Sequence, residues 1–201
     1  MLEVLDIEQG TDDWLQARAG IPTASRFKDV LAKGQGKMRA KYLHELAGEI
    51  ITGRPMDTYS NGHMERGHDQ EPEARSAYAF LHDVEPEQVG FIRNGRKGCS
   101  PDSLISTDGM LEIKSKLPHL MVETIKADKF PSEHRAQCQG GLWVAEREWI
   151  DLAVYCPGFP LFVKREHRDS EYIANLESEV ARFLEDLDTT VEAVRAYGRA
   201  A

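Results

Sequence analysis

Two dipeptides, Asn94-Gly95 and Asp108-Gly109, constrain this chain more than any other feature. Both favour the tight turns of β-hairpins, and they punctuate three short apolar runs: Gln88 to Arg93, Ser103 to Ser106 and Met110 to Lys114. Strands are therefore expected mid-chain. On the N-terminal side the period is helical. Thr11 to Ala17 reads as a short helix capped by Thr11, and a second begins near Thr23 or Ser25. Tyr42, Leu43, Leu46, Ala47, Ile50 and Ile51 share a stripe that ends at Gly53 and Pro55, and a fourth helix follows Gly67. Beyond the hairpins come helices at about 119–127 and 132–146, then strands at 149–155 and 161–165. Ile173, Leu176, Val180, Phe183, Leu187, Val191 and Val194 line a long C-terminal helix, about 169–198. The expected fold is α/β (α+β mixed), a central mixed sheet of about five strands flanked by helices.

The 201 residues, 41% hydrophobic, suit one domain with a helical N-terminal part of about 1–85. No leader-like segment or apolar run of membrane-spanning length is visible, so a soluble, cytoplasmic protein is expected. Cys99, Cys138 and Cys156 form no CxxC pair, which argues against disulfide, zinc and iron–sulfur frameworks. His63 and His68 are too loosely spaced for a zinc pair, and all seven histidines are read as non-ligands. Trp14, Trp143 and Trp149 could stack bases but are expected chiefly as core.

The net charge of -9 counts against a nucleic-acid partner, yet it is unevenly spread. Arg26, Lys28, Lys33, Lys37, Arg39 and Lys41 face one acid, Asp29, whereas 169–199 holds eight acids and three arginines. The basic run suits either a polyanion or an ordinary solvated face.

The hairpin itself carries chemistry. With Asp108 and Gly109 as the turn, Thr107 pairs with Met110, Ile105 with Glu112 and Ser103 with Lys114. Glu112 and Lys114 then share a face, while Asp102 falls one residue out of phase and needs a bend beside Pro101 to join them. Two converging carboxylates call for a divalent cation, and hard oxygen ligands suit Mg²⁺ or Mn²⁺. Lys114 could orient or deprotonate an attacking water; a plain Glu-x-Lys on a wet hairpin face is the bland alternative.

"SPDSLI" followed by "LEIK" resembles the PD-(D/E)xK nuclease core with its restriction-endonuclease-like fold. "WLQARAGIPTAS" (14–25), "RGHDQEPEAR" (66–75), "CSPDSL" (99–104) and "AQCQGGLWV" (136–144) extend the likeness to the viral-type recombination nuclease family, that of the phage lambda 5′-to-3′ exonuclease. The resemblance implies metal ligands at Asp102, Glu112, the Ile113 carbonyl and Glu71, with Lys114 serving the nucleophilic water and two Mg²⁺ ions per site. Helical spacing alone leaves Glu71 and Glu73 open, since each shares a face with apolar residues; the resemblance selects Glu71. It also implies a pocket for a terminal 5′-phosphate at Arg18, Ser25, Ser100 and Gln137. Each has a bland alternative: a cap for Ser25, an acid partner for Arg18, close helix packing for Gln137 beside Gly140-Gly141. The implied activity is 5′-to-3′ digestion of double-stranded DNA ends, leaving 3′ overhangs. The implied assembly is a ring-shaped homotrimer working with a single-strand annealing protein, encoded by a phage or prophage. Rival readings are a PD-(D/E)xK endonuclease and a catalytically idle DNA-end-binding scaffold. "SKLPHLMVE" (115–123) and the region after Tyr155 follow the family pattern least.

Overall fold

The computed structural model describes residues 1–32, 36–56 and 62–197, without the side chains of 62–65 and 68. Lys33, residue 198 and the side chains of His63 and His68 lie outside the described part. Strand β1 (Leu2–Leu5) precedes helices α1 (Asp12–Arg18), α2 (Phe27–Val30), α3 (Lys37–Thr52) and α4 (Gly62–His82). A 3-10 turn, Ala24–Arg26, leads into α2. Strands β2 (Phe91–Asn94), β3 (Lys97–Cys99), β4 (Ser103–Ile105) and β5 (Gly109–Ser115) follow, then α5 (Pro118–Ala127) and α6 (Arg135–Ala145). Strands β6 (Trp149–Tyr155) and β7 (Phe162–His167) and helix α7 (Ser170–Tyr197) complete the order.

The local reasons are those the residue types suggest. The Thr11 hydroxyl accepts from Trp14 N at 3.4 Å to cap α1, and Asp12 and Asp13 sit in its first turn, where the helix dipole favours acids. Gly53 closes α3 in the left-handed conformation, φ 68°. Along α7, Ile173, Leu176, Val180, Phe183, Leu187 and Val191 are buried, whereas Val194 is exposed because the helix outruns its neighbours. Helix α4 starts earlier than expected and carries Pro72 inside it. Among the described residues no helix is long and apolar enough to cross a membrane.

Two sheets replace the single five-stranded one. Strands β1, β2 and β3 make a small antiparallel sheet, and β4, β5, β6 and β7 make a mixed sheet in which only β5 and β6 are parallel. Neither β1 nor β3 was expected; both are short, and none of the four residues of β1 is fully buried. The mixed sheet has helices on both faces. Met110, Ile150, Leu152 and Val154 face the larger core with α3, α6 and α7. Leu111, Ile113, Ala153 and Tyr155 alternate to the other face, against Ala74 and Tyr78 of α4. Glu112 and Lys114 continue the Met110 face and so point toward α6.

The hairpin register also differs from expectation. Ile105 pairs with Gly109, Leu104 with Met110 and Ser103 with Leu111. The turn is thus Ser106-Thr107-Asp108, with Ser106 left-handed at φ 52°, and Gly109 is the first strand residue. Gly109 is required there by packing: a Cβ would lie 2.2 Å from the Trp149 ring.

Candidate active site

The corrected register removes the phase problem at Asp102. Continuing the ladder by one residue sets Asp102 opposite Glu112, so a bend supplies the local turn but no change of face is needed. The Asp102 Oδ2 accepts the Ile113 N–H at 2.5 Å, which fixes the carboxylate against β5. Glu112 is only 4% exposed, and its Oε1 accepts from Lys114 Nζ at 2.6 Å and from Gln137 Nε2, on α6, at 2.5 Å. Asp102, Glu112 and Lys114 are therefore brought together as the residue pattern anticipated. Each carboxylate keeps one oxygen, Oδ1 of Asp102 and Oε2 of Glu112, outside these bonds.

Electrostatics express the crowding. Burial, then the neighbouring Glu112, push the Asp102 carboxyl well above its ordinary range; Glu71 adds to this, while Lys114 and the Ile113 N–H oppose it. Burial would lower the Lys114 ammonium, but Glu112 and Asp102 together outweigh it and hold Lys114 above its usual value. Lys114 is thus a firmly protonated hydrogen-bond donor here. His134, near Lys114, Lys116 and Lys28, is pushed down to about 4, chiefly by burial and then by those cations.

Glu71 approaches from α4. Its carboxylate is held by Arg75 Nη2, one helical turn later, and it lies close enough to act on Asp102. Glu73 turns elsewhere: it hydrogen-bonds the Tyr155 phenol and pushes it up to about 12. The Arg75 guanidinium also donates through Nε to Ser103 Oγ at 3.0 Å and through Nη2 to the Asp102 carbonyl at 3.3 Å.

Beside the carboxylates opens a cavity of about 200 Å³, whose lining includes Asp102, Glu112, Arg18, Ser25, Ser100 and Gln137. Arg18 forms no ion pair among the described residues. Its Nη1 donates to Ser100 Oγ at 3.0 Å and its guanidinium stacks 3.9 Å from the Trp14 ring centroid, while burial pulls its pKa down. Glu49, the nearest acid to act on it, is occupied by the Gly20 and Met56 amides. An acid partner for Arg18 is therefore not what the fold supplies. Ser25 sits in the 3-10 turn within 3.2 Å of the Thr23 hydroxyl, and neither hydroxyl caps the helix it was expected to start. Gln137 lines the cavity and donates to Glu112.

Trp14 and Arg75 were not anticipated at the site. The signals were their i, i+4 spacings, to Arg18 and from Glu71, and their place in two of the segments that carry the resemblance. Trp14 Nε1 donates to Ser100 Oγ at 3.0 Å and to the Gly90 carbonyl at 3.1 Å. Trp143 and Trp149 lie in packing, the former against Phe27 and the latter under Arg165. Three of the six basic residues of the run are held in ion pairs. Arg26 pairs with Asp29 and Glu45, Arg39 with Asp186, and Lys41 with Glu45.

The donors suit a hard cation. Two carboxylates and an adjacent backbone carbonyl are oxygen ligands of the kind that bind Mg²⁺ or Mn²⁺, and a divalent charge would relieve the repulsion by Glu112 that, after burial, raises Asp102. Among the described residues no three or more His, Cys, Asp or Glu side chains are gathered to hold an ion. Such an ion would complete its shell with water, the usual condition of protein-bound Mg²⁺.

Comparison with known proteins bears on the family and the fold. A family model described as the YqaJ-like viral recombinase domain matches residues 13–148. The crystal structure of LHK-Exo in complex with dAMP is similar at TM-score 0.87 and 34% identity, covering 95% of this chain and 100% of that one. That of an alkaline exonuclease (LHK-Exo) from Laribacter hongkongensis gives 0.86 and 32% over the same shares. A phage related exonuclease from Haemophilus somnus 129PT, 12% identical, shares the fold at TM-score 0.66, over 87% of this chain and 96% of that one. No curated protein matches the sequence.

Proposed function

Because the chain belongs to the YqaJ-like viral recombinase domain family, we propose that it is a Mg²⁺-dependent exonuclease that enters at double-stranded DNA ends. It digests the 5′-ended strand to 5′-mononucleotides and leaves 3′ overhangs for recombination by strand annealing. The observation that carries this reading is one cavity lined both by Arg18, which has no carboxylate partner among the described residues, and by the Asp102–Glu112 carboxylate pair. The arginine suits a terminal phosphate and the carboxylates a divalent cation. A relative crystallised with dAMP supports a cavity of nucleotide scale.

In this reading Arg18 binds the 5′-phosphate with a forked guanidinium, helped by Ser100 and Ser25. That anchor sets the distance from the strand end to the bond that is cut. Asp102, Glu112 and the Ile113 carbonyl would hold one or two Mg²⁺ ions, with Mn²⁺ a substitute and Glu71 as support. The ion supplies Lewis-acid charge to the phosphoryl transition state. Lys114, kept protonated by its two acids, orients the attacking water and offsets charge on the phosphate through hydrogen bonds from Nζ. Gln137 holds Glu112 in place.

The reading extends to a ring-shaped homotrimer around the duplex, with a single-strand annealing protein as partner, in a bacterial cytoplasm under phage or prophage control. The likeness to the recombination nucleases supports this part. The test is digestion of a linear duplex labelled on one strand end at a time, with and without Mg²⁺, beside a closed circular duplex. Metal-dependent release from 5′ ends alone is expected. Loss of closed circles would instead indicate an endonuclease, and absence of release an idle end-binding protein.

A further inference from the structure

One side chain outside the metal-ligand and phosphate sets touches more of the site than any other: Arg75, whose side chain is 12% exposed. From α4 it reaches Glu71 through Nη2, Ser103 Oγ through Nε and the Asp102 carbonyl through Nη2. The Gln88 amide, oxygen inward, adds an acceptor 3.1 Å from Nη1 and 3.2 Å from Nη2. Ser103 closes the ring by donating its hydroxyl to the same Asp102 carbonyl at 2.6 Å.

The consequence concerns Asp102. That residue stands at a bend just outside β4, so the ladder does not fix its backbone. Its orientation depends on the Ile113 N–H at its carboxylate and on Arg75 with Ser103 at its carbonyl. An ordinary ion pair for helix stability would need only the Glu71 contact. The additional bonds to Ser103 and the Asp102 carbonyl join α4 to the corner that presents the carboxylate.

We propose that Arg75 is a positioning residue: its guanidinium ties Glu71, Ser103 and the Asp102 backbone into one unit and so sets the divalent-ion affinity of the carboxylate pair. This rests on the reading of that pair as a metal site. The fork matters more than the charge, because an ammonium is a single point that cannot span the three groups.

The experiment is calorimetric titration of the full chain with Mn²⁺, without DNA, on wild type, Arg75→Lys and Ser103→Ala, with circular dichroism to check folding. Loss of such an outer-shell partner weakens metal binding by about 10- to 100-fold, so Arg75→Lys should fall in that range. Ser103→Ala should shift in the same direction by less. In the nuclease assay the Mn²⁺ concentration for half-maximal rate should rise in parallel, with the KM for DNA ends unchanged. Wild-type Mn²⁺ affinity in folded Arg75→Lys overturns the proposal. Should Arg75→Lys not fold, unchanged affinity in Ser103→Ala overturns it and a weakened one sustains it. A wild-type protein that binds no Mn²⁺ sinks the metal-site reading itself, which separates the two failures.

Discussion

Replacing Arg18 by alanine tests the phosphate role of the cavity most directly. Hydrogen bonds to a charged group contribute about 1.5 to 3 kcal/mol each, and the guanidinium fork can offer two to a phosphate. A loss of about 3 kcal/mol corresponds to roughly 150-fold in rate. The variant should therefore lose about that factor in kcat/KM on 5′-phosphorylated duplexes. On otherwise identical duplexes with a 5′-hydroxyl it should change little. Folding should survive, because no ion pair is broken. The stacking on Trp14 and the bond to Ser100 are lost, but so is the desolvation of a guanidinium that lacks a carboxylate. Arg18→Lys, with charge but no fork, should fall between. If folded Arg18→Ala keeps the wild-type ratio between phosphorylated and hydroxyl ends, the cavity is not where the terminal phosphate binds.

Three further outcomes are expected. Asp102→Asn should cut the cleavage rate by at least about 100-fold, while the metal-free protein melts no lower than wild type, since an acid opposed by Glu112 has been neutralised; retained cleavage would remove Asp102 from the mechanism. Gly109→Ala should destabilise by about 1 to 3 kcal/mol in urea unfolding, because its Cβ meets the Trp149 ring at 2.2 Å. His134, held down at about 4, binds its proton more readily when unfolded, so its contribution to stability should decline as pH falls from about 6.5 through 4, by at most about 3 kcal/mol. His134→Gln should flatten that part of the stability curve relative to wild type, and identical curves would contradict the assignment.

The helices were readable because burial imposes a period on them: the α7 seam, the Thr11 cap and the Gly53 terminus stand where the residues point. Strand pairing was less so. Asp108-Gly109 suggests a two-residue turn, but Ser106 takes the left-handed conformation and the loop has three residues. The glycine answers to the Trp149 ring, 40 positions along the chain, and no local rule carries that information. A change of one in loop length shifts the register and determines which residue faces Glu112. Asp102 consequently looked out of phase, although the fold sets it opposite Glu112. Gln137 is comparable: its amide could be assigned to the cavity by resemblance, but its bond to Glu112 exists only because α6 packs on the Met110 face of β5.

Charge follows the same logic, and it decides how an acidic chain could hold a polyanion. Counting residues draws attention to the run from Arg26 to Lys41. In the fold Arg26, Arg39 and Lys41 face carboxylates, so that much of the run's charge is already neutralised and would have to be released before meeting a phosphate. Arg18 belongs to no cluster and contributes one charge in a total of -9. Yet it is half-buried on an aromatic face with no carboxylate partner among the described residues, an arrangement that costs free energy unless an anion offsets it. A phosphate entering there gains an interaction that no protein group has to give up. The absence of a partner is a property of the packed structure, so pairing locates the candidate anion site where composition could not.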